Sequence, residues 1–309
     1  MNIKNIAALA LALCLTGCSL QDDHAPNSPG NEPHLSSSTH AALATGPAVA
    51  QALRQRYADK RENCGKDSMP AFLWSGIILR GTVASTSYDS WNPSPTAVRV
   101  GGVSFSFLRA DYNMKRLANN YTNGFMLTPI LSTPREKYKM AILCFFPIDG
   151  TSNSRTDAGC GTNTRYPKDS APCNDQGIFT AEGWRDHFNR RPSDYDWRCS
   201  FDVRDALNAV AGRNFYQGIL GGRLVAQKAF EIPNDLKIEV WPQNIPEQLP
   251  IEAFFYISQA GLSGAQHDQQ RFYSLTHIAV PIISVKLATS VNGTATFEYV
   301  ASDQVVTIP

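Results

Sequence analysis

The chain contains 309 residues, of which 43% are hydrophobic and 18% are charged, and its formal net charge is +1. That hydrophobic fraction supports a packed core, so a largely disordered or low-complexity chain is excluded. The even balance of basic and acidic residues argues against a dedicated nucleic-acid binder, which needs a basic surface. Length alone allows one large domain or two modest ones.

The first seventeen residues are typical of an export signal. Lys4 supplies a positive charge, residues 6–15 are apolar, and small residues follow. The apolar run is shorter than the roughly 20 residues that a membrane-spanning helix needs. The sequence therefore predicts a signal peptide over residues 1–17.

The tetrapeptide LTGC, which ends at Cys18, resembles the lipobox of bacterial lipoproteins. The resemblance implies that Cys18 becomes the first mature residue and carries a lipid, and Ser19 after it favours the outer membrane. Residues 18–45 are rich in Ser, Pro, Asn and His, a composition that predicts a flexible tether. We therefore expect a protein that is anchored in the outer membrane or secreted, with a folded domain over residues 46–309.

The first half of that domain alternates helix and strand signals. Residues 48–61 contain strong helix formers and predict a helix. Residues 71–83 are apolar and β-branched, which predicts a buried strand. A short helix is predicted over 93–100, a strand over 103–108, and a buried strand over 138–147.

A long loop and two helices are predicted next. Residues 148–177 are rich in Gly, Asn, Asp and Ser, and loops of this length are usually functional or cross-linked. Thr180 has the chemistry of a helix N-cap, and a second helix is predicted over 203–210.

The last third of the chain predicts a strand over 236–241 and a long helix over 251–262. Strands follow over 278–287, 295–300 and 305–308, with Asn292-Gly293 as a hairpin turn. The order of elements predicts an α+β fold. We expect a single mixed domain with a long disulfide-bearing loop and a C-terminal β-hairpin.

Five cysteines follow Cys18, in a compartment where disulfides form: Cys64, Cys144, Cys160, Cys173 and Cys199. Cys160 and Cys173 bracket the polar loop, which favours a local disulfide between them. Cys144 with Cys199 is the second pair considered, and Cys64 is then left over. The histidines near these cysteines lack ligand spacing, so no metal site is predicted.

Arg80 stands near the end of the first predicted strand, where an unpaired charge is costly. A pyrophosphate would satisfy its planar donors, and so would a carboxylate at the strand end. The order Arg80-Gly81, then PSPTAV from Pro93, then Gly101-Gly102 is similar to the start of cholera-like ADP-ribosylating toxin chains. In that group the corresponding arginine holds the phosphates of NAD.

A broader resemblance covers about residues 70–210. The strings FLWSGIILR, SWNPSPTAV, GGVSFSFLR, YTNGFMLTPILSTP, LCFFPIDG and DQGIFTAEGW resemble the halovibrin family of secreted bacterial proteins. That family is associated with ADP-ribosyl transfer from NAD or with NAD glycohydrolase activity. The resemblance implies NAD as a substrate and no metal cofactor.

The toxins pair their arginine with a serine-bearing strand and a glutamate that stabilises the oxocarbenium-like ribose. Ser132 and Ser104 are the two candidates for that serine, and Glu252 and Glu247 are the preferred glutamates. The chain contains no Glu-x-Glu pair, so the resemblance favours NAD hydrolysis over protein modification. The alternative is a non-enzymatic envelope lipoprotein that acts as a binding module.

Overall fold

A computed structural model describes residues 45–60, 75–83, 88–128, 141–204 and 209–308. These residues belong to one compact unit that extends over residues 39–309. The fold is α+β, as the order of sequence elements predicts. The predicted signal peptide, Cys18, Cys64 and Ser132 lie outside the described residues.

Capping side chains fix the starts of several helices. Thr45 accepts a hydrogen bond from Ala48 N, and Thr180 accepts one from Gly183 N, as the N-cap prediction requires. Within the described ranges the helices are α1 (Gly46–Ala58), α2 (Pro95–Val100), α3 (Ala181–Arg190), α4 (Ala209–Leu224), α5 (Ala226–Glu231) and α6 (Gln259–Thr276).

The described strands form one mixed sheet in the order β5-β4-β6-β2-β1-β3-β7-β8-β9. Strands β7 and β8 are parallel, and every other neighbouring pair is antiparallel. The strands are β1 (Ile77–Thr82), β2 (Gly102–Leu108), β3 (Asn123–Leu127), β4 (Ile142–Phe146), β5 (Phe201–Asp202), β6 (Asp235–Glu239), β7 (Ile251–Tyr256), β8 (Ile282–Lys286) and β9 (Thr296–Tyr299).

The sheet buries apolar side chains on both faces. On one face, α1 contributes Leu53 and Tyr57 to a cluster with Leu79 and Phe255. On the other face, helices α3, α4 and α6 pack aromatic rings against the strands. Strands in the middle of the sheet therefore carry apolar residues at consecutive positions.

Strand β7 replaces the first half of the helix that is predicted over 251–262, so that prediction is wrong. Phe254 belongs to one core and Phe255 to the other, which removes the alternation that marks a half-buried strand. Helix α6 begins only at Gln259.

Of the helix predicted over 203–210, residues 203–204 are not helical, residues 205–208 lie outside the described residues, and residues 209–210 belong to α4, which covers Ala209–Leu224. The C-terminal hairpin is confirmed by the pairing of β8 with β9, and Asn292-Gly293 lies between the two strands. The predicted strand over 305–308 is not formed.

The four disulfide cysteines are confirmed, but the pairing considered from the sequence is wrong. The bonds join Cys144 to Cys160 and Cys173 to Cys199. Cys144 stands on β4 and pairs in register with β5, whereas Cys199 lies just before β5. Cys160 and Cys173 are therefore not bonded to each other. Cys160 attaches the polar loop to β4, and Cys173 attaches it to the segment that enters β5.

Arg155 organises the inside of the same loop. Its buried guanidinium donates to backbone carbonyls, including those of Gly150, Ser170 and Arg198. A cation that is satisfied by carbonyl groups holds distant segments together without a carboxylate.

None of the described helices is both long enough and apolar enough to cross a membrane.

Candidate functional site

A cleft opens where strands β1 and β2 separate. Their pairing ends at Leu79 opposite Ser106. Beyond that point β1 continues to Thr82 along β3, whereas the first half of β2 pairs with β6. The divergence leaves a cavity of about 600 Å³, which is within the size range of small-molecule sites.

The main segments that line this cleft are the end of β1, residues between 88 and 97, the start of β2, residues 116–121, residues 149–153, and residues 232–235 at the start of β6. The side chains with acid, base or anion-binding chemistry among them are Arg80, Ser104, Arg116, Asp149, Ser152 and Asp235. These groups are far apart in the sequence: Arg80 and Asp235, for example, are separated by 155 positions.

Arg80 is one of two arginines among the described residues that line the cleft. Its Nη1 atom is buried and has no hydrogen-bond partner among the described residues. Burial lowers the pKa of Arg80 to about 10, and the nearby Tyr88 and Tyr121 oppose that shift. An arginine at this pKa is charged at neutral pH, so the cleft contains a cation whose donors are not fully used.

Asp235 contributes a buried carboxylate at the start of β6. Its Oδ2 atom accepts a short hydrogen bond from the Ser152 hydroxyl and a longer one, 3.4 Å, from Ser104. Its Oδ1 atom is buried without a partner among the described residues. One carboxylate oxygen is therefore held in place, and the other remains available.

Asp149 is the second carboxylate of the cleft. The backbone N–H of Thr151 donates to its Oδ1 at 3.0 Å, which fixes its orientation. Burial and the neighbouring charge of Asp235 raise the pKa of Asp149, while Thr151, Arg198 and Lys237 oppose the shift. Two carboxylates with different environments can take different roles in proton transfer.

Arg80 and Ser104 both line the cleft, so the structure brings these two predicted residues together. The predicted glutamates are placed elsewhere. Glu252 forms a bidentate ion pair with Arg56 of α1. Glu247 is exposed in a turn after β6, and neither glutamate is among the described residues of the cleft.

Sequence reasoning missed Asp149, Asp235 and Lys237. Lys237 lies between Leu236 and Ile238 in the string LKIEVW, and its side chain is fully buried. A lysine inside an apolar strand carries the same signal that drew attention to Arg80. The two aspartates had no comparable signal, because each stands at a strand end where exposed acids are common.

The described residues contain no cluster of three or more His, Cys, Asp or Glu side chains that could hold a metal ion. A comparison with protein-family models gives no match, and a comparison with characterised proteins gives none either.

Proposed function

We propose that the cleft binds NAD and hydrolyses its nicotinamide–ribose bond. The observation that carries the proposal is the buried Nη1 of Arg80, which lacks a partner among the described residues at the divergence of β1 and β2. A pyrophosphate offers the bidentate oxygen acceptors that an arginine fork prefers. A bound pyrophosphate would then provide the hydrogen-bond acceptor that Arg80 Nη1 lacks among the described residues.

The carboxylates of the cleft suit the chemistry of this bond. Its cleavage builds positive charge on the ribose ring, and nicotinamide leaves as a neutral molecule. In the proposed mechanism, the free Oδ1 of Asp235 stabilises that developing charge. Asp149, whose pKa is raised, accepts a proton from the attacking water.

Asp235 and Asp149 take the part that the toxin resemblance assigns to a late glutamate. Glu252 is already compensated by Arg56, so moving it to a substrate would cost the energy of that ion pair. Without a Glu-x-Glu pair to position an acceptor arginine, water is the proposed acceptor.

The direct test is nicotinamide release from NAD by the purified full chain. We expect release by the unmodified protein and a loss of about 100-fold or more in Arg80→Lys, because lysine cannot make the bidentate contact. Arg99→Lys, at an exposed position on α2 outside the cleft, is the matched control and should retain full activity. No release by folded protein over a wide pH range would refute the enzymatic proposal.

We also propose that the protein is a lipoprotein of the outer membrane, attached through Cys18. Its support is the LTGC string after an apolar run. Palmitate labelling should appear in the unmodified protein and disappear in Cys18→Ala; labelling that persists in the variant would contradict the proposal. Binding of NAD without cleavage would favour the alternative, a binding module of the envelope.

A further inference from the structure

A buried lysine lies beside the cleft. Lys237 on β6 is fully buried, and its Nζ donates to Ser104 Oγ at 2.9 Å and to Asn153 Oδ1 at 3.4 Å. Both partners are uncharged, and Lys237 makes no ion pair within the described ranges. Burial with neutral partners favours the neutral amine over the ammonium ion, which gives the lysine the properties of a base.

The surrounding backbone holds Lys237 in this position. Lys237 pairs with Ser104 on one side and with Cys144 on the other. Gly159, next to Cys160, covers its side chain: a Cβ at Gly159 would lie 2.6 Å from Lys237 Cε. The Cys144–Cys160 disulfide therefore fastens a close-packed loop over the lysine, which restricts the amine to the direction of Ser104.

The charged groups that face Lys237 act in both directions. Burial lowers its pKa, and Arg80 acts in the same sense. Asp235 and Asp149 act in the opposite sense. The Ser104 hydroxyl lies between the two groups: it accepts from Lys237 Nζ at 2.9 Å, and its oxygen is 3.4 Å from the Asp235 carboxylate.

Ser104 connects this buried base to the cleft. Ser104 is partly exposed and lines the cavity, and its Oγ atom accepts the hydrogen bond from Lys237. A serine hydroxyl at hydrogen-bond distance from a buried lysine amine, whose pKa burial lowers, is the arrangement of serine–lysine nucleophile pairs.

We propose that Ser104 is a nucleophile with Lys237 as its base, and that the cleft hydrolyses carboxylic esters that carry an anionic group. This activity is separate from NAD cleavage and does not depend on it. Arg80, with its free Nη1, holds the anionic group of the ester in the same cleft.

The reaction has two halves. In the first half the Ser104 O–H turns from the Asp235 carboxylate to the lone pair of a neutral Lys237 Nζ, and Ser104 Oγ attacks the ester carbon as its proton passes to that nitrogen. The carbon–oxygen bond to the alcohol then breaks, and the alcohol takes that proton. Water next attacks the acyl-serine and gives a proton to Lys237, which returns it to Ser104 Oγ as the carboxylic acid leaves. Ester and water are consumed, and alcohol and acid are formed.

The test uses a fluorophosphonate probe on the purified full chain, with mass spectrometry to locate the modified residue. We expect modification at Ser104, no modification in Ser104→Ala, and a rate reduced about 100-fold in Lys237→Met. Ser106→Ala is the matched control, since the Ser106 hydroxyl lines the same cleft but donates to Asn234 O, and its labelling should match the unmodified protein. No modification of folded protein, or equal rates with and without Lys237, would overturn the proposal.

Two further measurements on the unmodified chain keep the test independent of how Lys237→Met folds. The labelling rate should rise with pH and reach half its maximum below the ordinary lysine pKa of about 10.4. A rate that does not rise below that pH would count against Lys237 as the base. After subtraction of the rate without protein, the 4-nitrophenyl monoester of adipate should be hydrolysed about tenfold faster than 4-nitrophenyl acetate, a preference that Arg80→Met removes; equal protein-catalysed rates for the two esters would refute the anionic substrate class.

Discussion

Arg80 on β1 and Arg109, directly after the neighbouring strand β2, both bury guanidinium nitrogens, and their surroundings differ. Arg109, directly after β2, donates from Nε and Nη2 to both oxygens of Asp111, at 2.6 and 3.0 Å. Arg80 on β1 forms no ion pair among the described residues, and its buried Nη1 is unsatisfied. The fold compensates Arg109 with its own carboxylate, and we propose that a ligand compensates Arg80.

The same contrast holds between carboxylates of the sheet. Beside α1, Glu252 and Arg56 neutralise each other where α1 meets the sheet. In the cleft, Arg80 and Asp235 each have a polar atom that remains unsatisfied within the described structure. Unsatisfied buried polar atoms lower stability, so those that line a cavity are candidates for a functional role.

The largest expected effect is the difference in stability between two matched substitutions. Arg109→Met should lower the free energy of unfolding by about 3–5 kcal/mol, because it leaves the Asp111 carboxylate without its main partner. Arg80→Met should change it by less than about 1 kcal/mol, because it removes a charge without stranding a carboxylate. Urea denaturation of both variants measures the difference, and equal losses would mean that Arg80 is compensated within the chain.

The disulfides should contribute the next largest effect, because they fasten one wall of the cleft. Removing the Cys144–Cys160 bond, which closes a sequence separation of 16, should cost about 3 kcal/mol. The double variant Cys144→Ala with Cys160→Ala should also expose Lys237, since Gly159 covers it. Thermal unfolding checks the loss; a variant as stable as the parent would show that loop packing alone holds the wall.

Asp268 on α6 gives a smaller effect that depends on pH. It is 3% exposed, its Oδ2 has no partner among the described residues, and burial raises its pKa to about 7. The Ser90 hydroxyl opposes that shift, and Asp89 adds to it. Ser90 also lines the cleft, so Asp268 interacts with a residue of the cleft wall.

The sign of the effect follows from the two states. An unfolded aspartate has a pKa of about 3.9, so between that pH and about 7 the folded state binds more protons. Stability should therefore fall as pH rises from about 4 to 7 and then level off. Asp268→Asn should remove about 1–3 kcal/mol of that fall, measured as the free energy of unfolding at both ends of the range. An unchanged pH dependence in the variant would show that Asp268 does not titrate there.

Much of the fold was predictable because local signals agree with the packing. The capping threonine of α3, the alternation in β2 and the apolar run of β4 each predict the observed element. Strand β7 was misread because both of its faces are buried, so Ile251, Phe254 and Phe255 fit helical spacing equally well. The disulfide pairing depended on where the loop ends attach, which no local pattern encodes.

The candidate site was predictable only where a single residue violates its surroundings. A charged residue in an apolar strand is energetically costly, and this cost identifies Arg80 from the sequence. Lys237 lies in an equally apolar string, but it was not singled out from the sequence. Asp149 and Asp235 meet Arg80 only through the divergence of β1 and β2, a long-range feature of the sheet. Glu252 was favoured from its position late in the chain, and the structure pairs it with Arg56 instead.

The central claim is that Arg80 is free to bind the phosphates of a nucleotide. Isothermal titration of the full chain with ADP-ribose, which retains the pyrophosphate and lacks the scissile bond, tests it directly. The account predicts one binding site in the unmodified chain and binding weakened at least about tenfold in Arg80→Met, the loss of roughly 1.4 kcal/mol or more from charge-assisted contacts. Equal affinity in the two proteins would contradict it.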